Sequence, residues 1–168
     1  MIKAIVYTSN TGFTAQYAEI LSRRTGLPAY DSEDSKNKPE QGTEIVYMGW
    51  LCAGKVKGYK AASQRYKICA VCGVGSGGTG TQLDDIRKND GISETVPLFT
   101  VQGGFDMNRL SGIYKIMMKA VKGKIIRSLQ EKTDRTPDED ACLDMLQNGG
   151  NYVREENLSD IIKWYESV

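Results

Sequence analysis

The chain has 168 residues, 40% of them hydrophobic and 26% charged, with a formal net charge of +1. That is the size and balance of one globular domain with a sizeable core, and it argues against a disordered chain or a broadly basic nucleic-acid binder. There is no histidine, which removes Ser-His and Cys-His nucleophilic mechanisms, imidazole proton shuttles and most transition-metal sites together.

No apolar run approaches the roughly 18 to 20 residues that span a bilayer, and the N-terminus lacks a secretory pattern, so a cytoplasmic location is expected. The cysteines, Cys52, Cys69, Cys72 and Cys142, are then expected as thiols. Cys69 and Cys72 have CxxC spacing but sit inside an apolar, strand-like run, which reads as buried core rather than as a redox or zinc pair.

The first predicted strand covers residues 2–7 and feeds Thr8-Ser9-Asn10-Thr11-Gly12-Phe13-Thr14, with a helix over residues 14–25. Four hydroxyls, an amide, a glycine and a helix N-terminus make this turn a place to hold a phosphate. It lacks the lysine of a nucleotide-triphosphatase loop and the three glycines of a dinucleotide fingerprint. An ordinary capped polar turn is the plainer alternative.

A short strand at residues 27–30 and a polar connection over residues 31–42 follow. A buried-type strand at residues 43–49 runs into Trp50, Leu51, Cys52, Ala53 and Gly54, then a short helix covers residues 59–66. A fourth strand at residues 67–73 leads into Gly73, Val74, Gly75, Ser76, Gly77, Gly78 and Thr79, a backbone able to lie close against a flat ring and donate N–H groups. A helix at residues 81–89 and a fifth strand at residues 95–101 reach Gly103-Gly104-Phe105.

Strands separated by helices predict a three-layer α/β sandwich with a five-stranded parallel sheet in order 2-1-3-4-5. The loops after strands one, three and four then fall on one sheet edge, where doubly wound folds bind ligands.

Ser9-Asn10-Thr11-Gly12-Phe13-Thr14, directly after the first strand, resembles the (T/S)-x-T-G-x-T loop with which flavodoxins bind the phosphate of FMN. The resemblance extends over most of residues 1–105. It implies a flavodoxin-like electron-transfer protein with FMN bound by residues 8–14, one side of the flavin against Trp50 to Gly54 and the other against Gly73 to Thr79. Trp50 is the candidate for packing on the ring, against the alternative of a tryptophan that closes the core. The chain lacks the marked acidity usual in flavodoxin shuttles, and its glycine loop carries neither a stacking tyrosine nor an acid. Without local acidic repulsion of the fully reduced anionic flavin, a less negative second reduction step is expected.

Gly103-Gly104-Phe105, Leu110 and the Met117-Met118-Lys119 helix are similar to a branch that includes the flavodoxin-like, menaquinone-linked protoporphyrinogen oxidase. That similarity implies the alternative of an FMN-dependent oxidoreductase. A flavodoxin-like scaffold that has lost flavin and acts as a binding module is a third reading.

Between Arg109 and Arg135 the segment is strongly basic. Its plainest reading is an amphipathic helix packed on the sheet with a solvated basic face. Docking to an acidic redox partner, or contact with a membrane surface near a quinone acceptor, are the alternatives. Thr136-Pro137-Asp138-Glu139 is a capping-box helix start, and residues 157–168 form a closing helix with Trp164 as core.

Overall fold

The computed structural model describes residues 1–34 and 38–168. The predicted connection over residues 31–42 therefore lies partly outside the described residues, at Ser35, Lys36 and Asn37.

Five strands run parallel: β1 (Ala4–Thr8), β2 (Ala29–Asp31), β3 (Glu44–Cys52), β5 (Lys67–Gly75) and β6 (Leu98–Gln102). Their order is β2-β1-β3-β5-β6, which is 2-1-3-4-5 counting the parallel strands alone. The extra strand, β4 (Lys55–Val56), folds back antiparallel on the end of β3, pairing Leu51 with Val56.

Period-two alternation sorts the side chains of each strand between two cores. Ile5, Val46, Met48, Cys72 and Val74 join Tyr17, Ala18 and Leu21 of α1 (Phe13–Thr25) and Ile161 of α6 (Ser159–Glu166). Val6, Ile45, Tyr47 and Val71 face Tyr59 and Ala62 of α2 (Tyr59–Arg65) and Ile86 of α3 (Leu83–Asp90). This is the flavodoxin-like three-layer arrangement.

Several boundaries differ from the sequence reading for identifiable reasons. β3 continues through Trp50, Leu51 and Cys52, because β4 supplies an antiparallel partner before the tight turn at Ala53 and Gly54. β5 continues to Gly75, and the Leu51 side chain lies over it: a Cβ on Gly73 or Gly75 would meet Leu51 carbon at 2.8 Å. β6 begins at Leu98, after a turn in which the Val96 N–H donates to the Ser93 carbonyl. Cys72 is buried in the sheet while Cys69 is half-buried, so only one of the pair is true core. Trp164 is likewise only partly buried, tilted against Phe99 with centroids 6.1 Å apart.

The largest difference lies past β6. Residues 104–151 form an excursion: β7 (Gly104–Phe105), α4 (Gly112–Glu131), α5 (Pro137–Asn148) and β8 (Gly150–Asn151), with β7 and β8 paired antiparallel. The expected packing of α4 on the sheet does not occur. α4 rests on α5, and none of its residues is fully buried. The capping box of α5 forms as expected, with Thr136 and Glu139 exchanging side-chain and backbone bonds.

The excursion is anchored at its base by Tyr17, which is fully buried in α1. Its hydroxyl donates to the Gln102 carbonyl at the end of β6 and accepts from the Asn157 amide at 2.6 Å.

Candidate functional site

The loops after β1, β3 and β5 meet at the carboxyl edge of the sheet, as their position in the doubly wound order requires. In the first loop Gly12 adopts φ +91, a left-handed conformation that allows the chain to turn into α1. Ser9 Oγ accepts from the N–H groups of Gly12 at 3.1 Å and Ala15 at 3.4 Å. The remaining first-turn amides, those of Phe13 and Thr14, have no intrahelical acceptor and lie at the positive end of the helix.

Asn10, Thr11, Phe13 and Thr14 all line a cleft beside this turn. Thr8 does not join them. Its hydroxyl is bonded to the Ser32 and Tyr47 hydroxyls, each at 2.6 Å, and Tyr47 in turn donates to the Lys57 carbonyl. Thr8 therefore ties β1 to β2 and β3, on the side where burial pushes the Tyr47 phenol up to about 12.

Trp50 and Leu51 line the same cleft. Trp50 packs edge-on to Tyr114 of α4, with centroids 4.7 Å apart, and Lys57 Nζ lies 5.9 Å from its ring. Cys52, Ala53 and Gly54 lie past this contact, in the β3–β4 turn, where the Gly54 carbonyl accepts from the Asn89 amide at 3.2 Å. That turn is held by α3, and its residues do not line the cleft.

The glycine loop contributes Val74, Gly75 and Ser76 to the cleft wall. Gly73 and Gly75 are small because Leu51 covers them. Gly77 sits against Gln82, and the Gly78 N–H donates to Asp138 Oδ1 at 3.2 Å. Thr79 Oγ1 accepts from the Gln102 N–H, which ties the loop to β6. Asp138 changes the electrostatic expectation. The loop has no acid of its own, yet the start of α5 brings a carboxylate onto it from 60 residues further along the chain. Ser76 Oγ and Cys142 Sγ, 3.7 Å apart, add a second tie between this loop and α5.

The excursion supplies what the sequence reading did not assign. Arg109 reaches back to the first loop: a guanidinium nitrogen would lie 3.8 Å from a Cβ placed on Gly12, and the group sits 5.8 Å from the centre of the Phe13 ring. Ser111 donates to Asn10 Oδ1 at 3.3 Å. The loop that carries no cation of its own thus has one beside it, contributed from almost 100 residues away. Only the basic run around position 109 signalled it, and nothing in that run distinguished Arg109 from its neighbours.

The donor set fits a phosphate monoester: hydroxyls, free first-turn amides, one guanidinium, and no acid within residues 8–14. The cleft that continues from it measures about 140 Å³, and Leu110 and Met118 of the excursion are part of its lining. On the far side of Phe13 and Phe105 a second cavity of about 470 Å³ opens, with Arg109 and Lys122 on its wall. Lys122 Nζ lies 5.6 Å from the Phe105 ring.

Among the described residues no group of histidine, cysteine or carboxylate side chains is arranged to hold a metal. No helix among them is long and apolar enough to cross a membrane. No protein-family model matches this chain, and a search of curated proteins finds no match.

Proposed function

We propose that this chain binds FMN non-covalently at the carboxyl edge of its sheet and serves as an electron-transfer protein. The observation that carries the reading is the meeting of the hydroxyl loop, the Gly12 turn and the Arg109 guanidinium at the end of β1, with Trp50 and the Val74–Ser76 wall beside them.

In this reading Ser9, Asn10, Thr11 and Thr14, with the first-turn amides of α1, hold the phosphate, and Arg109 balances its charge. Trp50 and Leu51 flank one side of the flavin ring, and Val74, Gly75 and Ser76 the other. Bound FMN would supply the redox chemistry. No carboxylate, lysine or cysteine lines the cleft, and in this reading the protein's part is to bind, to exclude water and to set the local field. A flavin ring would need more room than the cleft's 140 Å³, which is below the several hundred Å³ usual for such ligands, so the Leu110 and Met118 side chains that line it would have to move aside. Asp138, held on Gly78, places one negative charge beside the glycine loop, which works against the less negative second reduction step expected from the loop alone.

A second reading is an FMN-dependent oxidoreductase of the menaquinone-linked protoporphyrinogen oxidase type. The cavity of about 470 Å³ beyond Phe105 favours it, because a carrier needs no substrate chamber next to its cofactor. A redox partner protein suits the first reading and a small-molecule or quinone acceptor the second. A cytoplasmic setting goes with both, since all four cysteines are free thiols.

An anaerobic reductive titration of the FMN-loaded protein separates the two. Two resolved one-electron steps support the carrier, and reduction in a single two-electron step supports the oxidoreductase. A protein that stays colourless and ignores added FMN overturns both and leaves the binding-module reading.

A further inference from the structure

Apart from the terminal Met1 and Val168, the exposed large hydrophobic side chains among the described residues all lie on one helix, α4: Ile113, Ile116, Met117, Val121 and Ile125. Ile113 is 65% exposed and Ile116 70%. A surface helix normally carries one apolar stripe turned inward. α4 carries two.

Tyr114, Met118, Lys122, Ile126 and Leu129, at spacings of three and four, are its half-buried side, turned toward α5 and the cleft. The exposed five flank that side: Ile113, Met117, Val121 and Ile125 form the neighbouring i,i+4 row, with Ile116 further round, along about 18 Å of helix from Ile113 to Ile125. Solvated monomers rarely leave such a contiguous patch uncovered.

The charge around the patch selects its occupant. α4 carries Lys115, Lys119, Lys122, Lys124 and Arg127, and its one acid is the last residue, Glu131. Lys119, Lys124 and Arg127 ring a surface recess at Gly123, with Glu131 at its far end. A second copy packed through the same face would set these cations against themselves, which an isologous interface does not favour. An apolar stripe beside flexible lysines suits an anionic bilayer surface: the aliphatic side chains enter the headgroup boundary while the ammonium groups stay with the lipid phosphates.

We propose that α4 is an interfacial helix, and that its outer face binds the chain to an anionic membrane surface without spanning it. The inner face of the same helix lines the cleft through Met118 and sets Tyr114 on Trp50, so membrane contact and the cleft share one element. The inference does not depend on the FMN reading, and its test needs no flavin.

The test is flotation of the full chain with vesicles of phosphatidylcholine alone and of phosphatidylcholine mixed with phosphatidylglycerol. The expected result is binding to the anionic vesicles, weakened by salt, and little binding to the neutral ones. Ile116→Asp, at an exposed position, should reduce the bound fraction about tenfold with an unchanged melting temperature. Reversal of charge at Lys119, Lys124 and Arg127 together should abolish the preference for the anionic lipid. A wild-type chain that stays unbound on anionic vesicles at low salt overturns the proposal. So does binding that Ile116→Asp leaves unchanged, or a concentration-dependent dimer that Ile116→Asp dissociates while vesicles are ignored.

Discussion

The sheet with its flanking helices and the excursion over residues 104–151 are built on opposite terms. In the first, Ile5, Ile45, Met48 and Ile161 are at most 1% exposed, and every parallel strand feeds a core on each face. In the second, a 20-residue helix has no fully buried residue, and the buried side chains past Leu110 reduce to Met145 and Leu146 of α5. Stability resides in the first region, while the second supplies what surrounds the cleft: Arg109, Asp138, Tyr114 and Met118. A fold can therefore be fixed by one region of a chain while the surroundings of a cleft at its edge are supplied by another.

The comparison is sharpened most by paired truncations. Ile161→Ala opens a cavity in the core and should cost about 2–4 kcal/mol, whereas Ile116→Ala on α4 should stay within about 0.5 kcal/mol. Chemical denaturation of the two variants checks this, and a large loss at Ile116 would mean that α4 has a covered face after all.

The next effect concerns the joint between the regions. Tyr17→Phe removes the hydroxyl that bonds Gln102 and Asn157, while the Asn157 amide keeps the Tyr152 carbonyl at 3.1 Å, so the cost should be about 1 kcal/mol. Hydrogen exchange should show the added opening at residues 150–157 more than in β1 or β3.

A smaller effect is pH-dependent and belongs to the sheet region alone. Burial pushes the Cys72 thiol up to about 12 from 9.0 and the Tyr47 phenol up to about 12 from 10.0. The unfolded chain ionises these groups first, so their stabilising contribution is whole below about pH 9 and is lost as pH rises toward about 12. Melting temperatures should fall across that window, and Cys72→Ala should flatten the fall.

The smallest effect is at the acid end. Glu44 is held down to about 2 from 4.5 by its bond to Lys67 at 2.7 Å and by the N-terminal amine. Its contribution is present above about pH 4.5 and is lost as pH falls through about 2. The pair is exposed and screened by solvent, so Glu44→Gln should lower the melting temperature only slightly at neutral pH and not at all below pH 2.

The strand order was legible because Ile5, Val46 and Val71 sit in apolar runs that helical segments separate, and parallel strands buried on both faces leave that pattern. The first loop was legible because its hydroxyls and Gly12 are contiguous. The packing of α4 was not. Its apolar side chains lie in neighbouring rows that wind most of the way round the helix, which leaves a weak periodicity, so the sequence pointed to a helix without telling which side is covered. Arg109 and Asp138 were illegible as site residues for a different reason: each reaches the cleft edge only through the tertiary path of the excursion, far in sequence from Gly12 and Gly78. The glycines of the second loop also have neighbours within the chain that sequence alone does not show: Leu51 lies against Gly73 and Gly75, Gln82 against Gly77 and Asp138 against Gly78.

We propose the loop after β1, completed by Arg109, as a phosphate cradle for a flavin nucleotide. The direct measurement is a fluorescence titration of the purified chain with FMN and with riboflavin, repeated on Arg109→Ala. The expected result is quenching on FMN binding, weaker binding of riboflavin, and about a tenfold loss of FMN affinity in the variant with riboflavin unchanged. Flavin fluorescence unaltered by excess wild-type protein, or equal binding of FMN and riboflavin, would contradict it.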